Sequence, residues 1–335
     1  MKTTFLLLAA ATTAFASCTN SEVMEVAGNR TISFAPFVEK ATKTATEIVG
    51  VNAANGLTKF YVFGKYGDNS EGTYDTEVFS NLEVNVTGAS DTPGTGHYWI
   101  AGKYYKFAAY SDGNKQIASG VSFGNDGNIT ISDYTVSNKD LILVTSTNEY
   151  NGSSQIATNT PVALTFSHLL SQLSFEFTNG FTAQGYTLEI SGLSFTVENQ
   201  ATYTSSDGNW NIATGNPVTN RQTGNVYTDE AWFVIPQSNA TSTGYKVSFT
   251  ATVKDRNNTV ATKSLTAHLA TGDHSSDNNG NAGNDTWIKG YKYKYTATID
   301  AGTMGITDNE IKFQVSVAPW KDAGDTTISP SNNRP

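Results

Sequence analysis

The stretch Lys246-Val-Ser-Phe-Thr-Ala-Thr-Val253 decides the fold class, because its apolar residues alternate strictly with serine and threonine. In an extended chain, successive side chains point to opposite faces, so this period of two predicts a β-strand with one face in a hydrophobic core. The apolar face of that strand carries Val247, Phe249, Ala251 and Val253.

Alternation of this kind recurs along the rest of the chain, and turn clusters rich in glycine, aspartate and asparagine separate the runs. About fourteen strands and no convincing amphipathic helix are expected, which suits two sandwiches of about seven strands each. We therefore predict an all-β protein of two tandem antiparallel β-sandwiches, covering residues 31–158 and 159–335. Besides Lys246–Val253, strands are predicted near Thr31–Val38, Lys59–Tyr66, Val78–Val86, Tyr104–Tyr110, Ile129–Val136, Leu141–Thr145, Val162–Phe166, Leu169–Thr178, Tyr186–Val197, Ala231–Ile235, Thr259–His268, Tyr291–Tyr295 and Ile311–Val317.

The composition agrees with a β-rich protein. The 335 residues include 47 threonines and 31 asparagines, both poor in helix interiors, and only 15% charged residues. The formal net charge is −9 and the pI is about 4.9. Because proteins that bind nucleic acids usually carry a basic surface, we expect no nucleic-acid partner.

The N-terminus predicts export and a lipid anchor. A short basic start is followed by an apolar run and then by Phe15-Ala-Ser-Cys18, in which Cys18 is the only cysteine of the chain. This order resembles a lipobox, so residues 1–17 are predicted to be a signal peptide and Cys18 the lipidated first residue. Residues 18–30 would then form a polar tether. An ordinary signal peptide with an incidental cysteine is the alternative.

The sequence offers no catalytic residue, metal site or cofactor site. The four histidines form no metal-binding pair, and His168 lies in an apolar strand, where a hydrogen-bonded structural role is favoured. The loop Asp273–Asp285 departs from a calcium-binding loop at Ala282 and Ile288. The five tryptophans could line a sugar-binding platform, although packing in the core or at its edge is the favoured interpretation. They are Trp99, Trp210, Trp232, Trp287 and Trp320. We expect a chain that binds, spaces or assembles, and not an enzyme.

Five segments together carry a resemblance to a known family. They include Val162-Ala-Leu-Thr-Phe-Ser-His-Leu-Leu-Ser-Gln-Leu-Ser-Phe175, with Asp140-Leu-Ile-Leu-Val144 upstream, and the ending Ile311-Lys-Phe-Gln-Val-Ser-Val-Ala-Pro-Trp-Lys321. The other two are Leu57–Tyr66 and Tyr98–Tyr110. In their order along the chain, and after a lipobox, these segments resemble the fimbrillin-like family of Bacteroidales-type bacteria, the type V pilins.

This resemblance implies two transthyretin-like sandwiches and a subunit of a surface fimbria that serves adhesion. Such a subunit reaches the outer membrane as a lipoprotein, a maturation protease removes its first strand, and a strand of a neighbouring pilin subunit fills the groove. Here the removable strand would carry Ile32 and Phe34 on its inner face, with Pro36 breaking the alternation. The cut would fall at Lys43, close to where relatives typically have arginine, or at the nearby Lys40. The alternative is a subunit that stays uncut and keeps the lipid on Cys18, which would suit a basal anchor.

The donated strand would come from the C-terminal region, with Phe313, Val315 and Val317 as its apolar residues. The sequence leaves open whether this strand pairs within its own domain. It also leaves open a second function, that of a surface lipoprotein that binds glycan or protein and never polymerises.

Overall fold

Strands make up nearly all the regular structure, so the all-β prediction is confirmed. The computed structural model describes residues 30–38, 48, 56–88, 91–92, 94, 96–118, 120–137, 139–213, 231–237, 245–269 and 286–305, and only the backbone of 217–221, 310–311 and 314–319. The described α-helices are α1 (Gly152–Thr158) and α2 (Ala301–Gly305), and Thr182–Gln184 forms a short 3₁₀ helix. The strands are β1 (Phe34–Val38), β2 (Lys59–Gly67), β3 (Thr76–Asn85), β4 (Tyr104–Asp112), β5 (Val121–Phe123), β6 (Ile129–Thr135), β7 (Leu141–Val144), β8 (Tyr150–Asn151), β9 (Val162–His168), β10 (Ser171–Asn179), β11 (Thr187–Glu198), β12 (Gln200–Thr204), β13 (Asn209–Ile212), β14 (Pro217–Arg221), β15 (Ala231–Val234), β16 (Lys246–Asp255), β17 (Asn258–His268), β18 (Tyr291–Ile299), β19 (Glu310–Ile311) and β20 (Gln314–Pro319).

The strands in the described part of the chain form four sheets. The first has the order β1-β9-β7-β4-β2-β3, with β8 beside β4, and a second has the order β13-β12-β6-β5. The remaining two are β15-β10-β18-β20 and β14-β11-β16-β17-β19. Most pairs are antiparallel, but β1 runs parallel to β9, β10 to β18 and β17 to β19.

The buried apolar residues that the structure describes form three hydrophobic cores between these sheets. Two of these cores lie on opposite faces of the first sheet, and successive residues of β2 contribute to them in turn. Phe60 and Val62 face one core, and Tyr61 and Phe63 face the other. The third core lies in the C-terminal half and includes the inner face of β16, where Phe249 is buried as its alternation predicts. The first sheet is thus covered on both faces over much of its area.

Strand pairing crosses the boundary predicted between residues 158 and 159. β9 follows that position and pairs with β1 and β7, while β12 pairs with β6. The two halves therefore share sheets, and their division into tandem transthyretin-like sandwiches remains a prediction.

Helix α1 lies in the polar stretch where the sequence predicted no helix. It begins after Asn151, whose side-chain oxygen accepts a hydrogen bond from the Ser154 amide at 3.2 Å. It ends at Asn159, which adopts a left-handed conformation with φ of 53°. The caps define this short helix, because its seven residues show little apolar periodicity. None of the helices in the described part has the length and apolar character needed to span a membrane.

Candidate functional site

The first strand lies at one end of the first sheet and completes its core. β1 pairs with β9 in parallel, from Phe34 opposite Val162 to Val38 opposite Phe166. Ile32, Phe34 and Val38 are each no more than 1% exposed. Residues 32–38 therefore place three apolar side chains in a core whose other walls come from residues later in the chain.

Phe34 occupies an aromatic socket formed by Phe60, Phe79 and Phe107. Its ring centroid lies 6.1 Å, 5.6 Å and 5.5 Å from these three rings, in edge-on arrangements that aromatic pairs favour. Gly64 allows the socket to close, because a Cβ at this position would lie 2.7 Å from ring atoms of both Phe79 and Phe107. A buried phenylalanine in such contacts is a major anchor for the strand.

The backbone of the first strand is held on both sides. On one side the Val162 amide donates to the Ser33 carbonyl at 2.8 Å. On the other side Phe34 and Asp91 exchange two hydrogen bonds of 2.8 Å, and the Ile32 amide donates to the His97 carbonyl at 2.9 Å. We call residues 91–99, of which 93 and 95 are not described, the strap. Between β9 and the strap, residues 31–34 lie in a groove with two hydrogen-bonding walls.

Pro36 fits this strand without loss of a ladder bond. The backbone of Ser33 faces β9 and that of Phe34 faces the strap, so alternation turns the Pro36 nitrogen away from β9. Pro36 itself is half-buried, and the alternation resumes beyond it, since Phe37 is 51% exposed and Val38 is buried. The inner face thus runs from Ile32 through Val38.

A buried polar cluster holds the chain beyond the first strand. The Asp140 carboxylate lies 3.0 Å from His168 Nδ1 and accepts a hydrogen bond of 3.0 Å from the Ile48 amide. Asp140 and His168 are both buried, which confirms a structural, hydrogen-bonded role for His168. Ile48 follows the segment that contains the predicted cut, so this cluster anchors the part of the chain that a cut would leave behind.

The predicted C-terminal donor lies at a sheet edge in this structure. Among the described strands, the backbone of β20 pairs only with β18, with Val315 opposite Tyr295 and Val317 opposite Tyr293. Phe313 lies outside the described residues, as do Cys18, Lys40 and Lys43. In this single chain, the strand therefore pairs within its own half.

The described surroundings of β1 consist of rings and backbone groups suited to hold an extended chain. Trp99 packs on Tyr105 with centroids 4.8 Å apart, and burial raises the pKa of Tyr105 to about 12.

Trp99, Trp232 and Trp287 are buried and therefore form no sugar platform, while Trp320 lies outside the described residues. Nowhere in the described part do three or more His, Cys, Asp or Glu side chains meet as a metal site would require.

Sequence reasoning missed the strap and the Asp140 cluster. The strap sequence, Asp91-Thr-Pro-Gly-Thr-Gly-His-Tyr-Trp99, has no period of two and looks like a loop. Its contact with Phe34 depends on the tertiary fold, and so does the contact between Asp140 and Ile48. The one available signal in the sequence was that Asp140 and His168 each lie in or beside an apolar strand, where a polar residue needs a partner.

The comparisons with known proteins identify a family and a fold. A family model described as fimbrillin-like matches residues 42–320. A fimbrial protein from Bacteroides vulgatus ATCC 8482 has a similar structure, with a TM-score of 0.52, 15% identity, and coverage of 86% of this chain and 99% of that chain. The fimbrial anchor protein Mfa2 from Porphyromonas gingivalis matches with a TM-score of 0.32, 10% identity, and coverage of 86% and 98%. No curated protein shows significant sequence similarity to the chain.

Proposed function

Because the chain belongs to the fimbrillin-like family, we propose that it is a structural subunit of a cell-surface fimbria that serves adhesion. Membership of this family supports a role in a pilus or in adhesion, association with other fimbrial subunits, and a location at the cell surface. It also favours a non-enzymatic role.

Export would follow from the N-terminus. Residues 1–17 would direct secretion, and a diacylated Cys18 would hold the subunit in the outer membrane through residues 18–30. A protease would then cut at Lys43 or Lys40, which separates the lipid and the first strand from the rest of the chain. Lysine in place of the arginine of relatives calls for a protease that accepts lysine. The fimbrillin-like match begins at residue 42, close to this cut.

One observation carries the proposal: Phe34 of β1 is buried in the aromatic socket, and a single cut after β1 would separate this strand from the rest of the chain. Loss of the first strand would expose the core surface that Ile32, Phe34 and Val38 cover. It would also leave backbone groups of β9 and of the strap without their hydrogen-bond partners. Unpaired strand edges above an open core are a template for addition of another strand. A strand from a neighbouring subunit would supply the same hydrogen bonds and apolar side chains.

We propose β20 as the strand that is donated. Of the strands that the structure describes, it pairs only with β18, so its release breaks one described ladder. Its sequence alternates in the same way as the strand that it would replace. Donor and groove lie at different places on the chain, so the contact is head-to-tail and produces an open filament.

A reversible cross-link between β1 and β9 tests this mechanism. Ala35 and Ala163 are register partners, and neighbouring strands lie about 4.8 Å apart, within the range that a disulfide spans. In the Ala35→Cys/Ala163→Cys variant, we expect no polymer after proteolysis under oxidising conditions, and recovery of polymer after reduction.

The single variants Ala35→Cys and Ala163→Cys serve as controls and should polymerise in both conditions. Mass spectrometry of the N-terminus shows whether the cut has occurred in each sample. Full polymerisation of a cut, cross-linked chain would contradict strand exchange at β1. Absence of any cut in native fimbriae would contradict the proteolytic step.

A further inference from the structure

A cleft opens between β7 and β9 on the face of the first sheet opposite the aromatic socket. The two strands pair only at Ile142–His168 and Leu143–Ser167. Beyond Val144 the chain follows β4 instead, where the Thr147 amide donates to the Phe107 carbonyl at 2.8 Å. The gap left beside β9 has a volume of about 410 Å³.

The walls of the cleft combine hydroxyl groups with apolar surface. No aspartate or glutamate is among the described residues that line it. Leu143 and Leu169 supply apolar surface, and hydroxyls, which can both donate and accept, come from Thr145, Ser146, Thr147, Thr165 and Ser167.

Lys289 and Tyr203 both line one part of the cleft. Tyr203 is fully buried, yet its hydroxyl has no hydrogen-bond partner among the described residues. The Lys289 ammonium lies 5.5 Å from the centroid of the Tyr203 ring and donates to the Gly208 carbonyl at 2.6 Å. That bond uses one of the three ammonium donors and fixes the side chain over the ring.

We propose that this cleft binds an acidic sugar, with the sugar carboxylate between Lys289 and the Tyr203 hydroxyl. A carboxylate pairs with an ammonium and accepts from a phenol, which satisfies the buried hydroxyl. The ring hydroxyls of the sugar would bond to the threonine and serine side chains, and its C–H face would pack on the leucines. A cleft of this size and mixed lining is typical of a site for a small ligand. The proposal does not depend on strand exchange, since the cleft is present in the uncut chain.

Calorimetric titration of the purified, unassembled chain with glucuronic acid and with glucose tests the proposal. The two sugars share one ring and differ at C6, where glucuronic acid carries the carboxylate. We expect saturable binding of glucuronic acid, at least about tenfold tighter than that of glucose, and weakening of this binding as salt is added. Equal affinity for the two sugars, or no saturation by glucuronic acid in the millimolar range, would overturn the proposal.

Variants locate the site. Tyr203→Phe removes a hydroxyl that has no described partner, so the fold should be preserved while affinity falls about threefold to tenfold. Lys289→Met should weaken binding about tenfold or more, and Thr165→Trp should block the cleft. Lys246→Met, an exposed lysine on β16, is the matched control and should bind as the wild type does. Unchanged affinity in folded Tyr203→Phe and Lys289→Met variants would show that binding occurs elsewhere.

Discussion

Two phenylalanines on the first strand differ sharply in environment. Phe34 is fully buried in the aromatic socket, whereas Phe37 is 51% exposed. We expect Phe34→Ala to lower the free energy of unfolding by about 3–5 kcal/mol, because it leaves a cavity among rings. Phe37→Ala, the matched control, should change it by less than about 0.5 kcal/mol. Urea denaturation measures both, and equal losses would contradict the inward orientation of Phe34.

Asp112 predicts a pH dependence of stability. It is buried and accepts a hydrogen bond from the Tyr134 hydroxyl at 3.2 Å. Burial raises the pKa of Asp112 above its ordinary value of 3.8, so the folded state binds its proton more tightly than the unfolded state does. Its contribution to stability is therefore present at low pH and is lost as pH rises from about 4 through the folded-state pKa.

The variant Asp112→Asn should lack this dependence. We expect the stability of the wild type, relative to the variant, to fall as pH rises above about 4. Urea denaturation of both proteins over a pH series measures the difference. A difference that grows in favour of the wild type with rising pH would show that the charged carboxylate is stabilised instead.

At the scale of elements, the sequence predicted strands better than it predicted their partners. β16 was predicted because its alternation is long and strict, whereas β5 and β8 are too short to show a period. The parallel pairing of β1 with β9 joins residues more than a hundred positions apart, which no local pattern encodes. For the site, the family resemblance assigned Ile32 and Phe34 to the inner face of the first strand, but the strap was missed because its hydrogen bonds come from irregular backbone.

A groove that holds β1 on both sides should bind that strand in trans. We expect a chain that starts at Thr44 to bind a synthetic peptide of residues 30–38, since the peptide restores the same backbone bonds and apolar contacts. A peptide with Phe34→Ala should bind more weakly by about tenfold or more, while Phe37→Ala should bind as the parent peptide does.

Fluorescence anisotropy of a labelled peptide measures this binding. The intact chain, whose groove is filled by its own strand, is the control and should not bind. Binding of the peptide to intact and truncated chains alike would mean that it attaches at another surface.

At the scale of the whole molecule, two residues connect the first sheet to the sheet that contains β18. β9 ends at His168 and β10 begins at Ser171, with Leu169 and Leu170 buried between them. The Leu169 carbonyl accepts from the Trp210 indole at 3.0 Å, and the Leu170 carbonyl accepts from the Gly290 amide at 2.8 Å. A connection so short and so fully bonded fixes the orientation of the two sheets.

Deletion of residues 311–335 tests the role of the C-terminal strand. The deletion removes β20 from the edge of its sheet but leaves the first sheet and its core complete. We expect loss of polymerisation, while hydrogen-exchange protection of β2 and β4 stays at the level of the intact chain. Filaments of normal length from the deleted chain would exclude β20 as the donor.

The short connection also bears on how a fimbria would carry tension. In a filament built by strand exchange, pulling force would enter at the strand seated beside β9, cross Leu169 and Leu170, and pass from β10 to β18 through their ladder. It would then leave along the covalent chain that leads from β18 to the donated β20. β10 and β18 are parallel over eight register pairs, from Gln172–Lys292 to Asn179–Ile299. Force along such strands loads their hydrogen bonds in shear, so that many must break together. How long a fimbria withstands a pulling force would then depend on the rate at which the β10–β18 ladder unfolds under that force. The force that flow exerts on an attached cell would therefore act mainly on a few central strands.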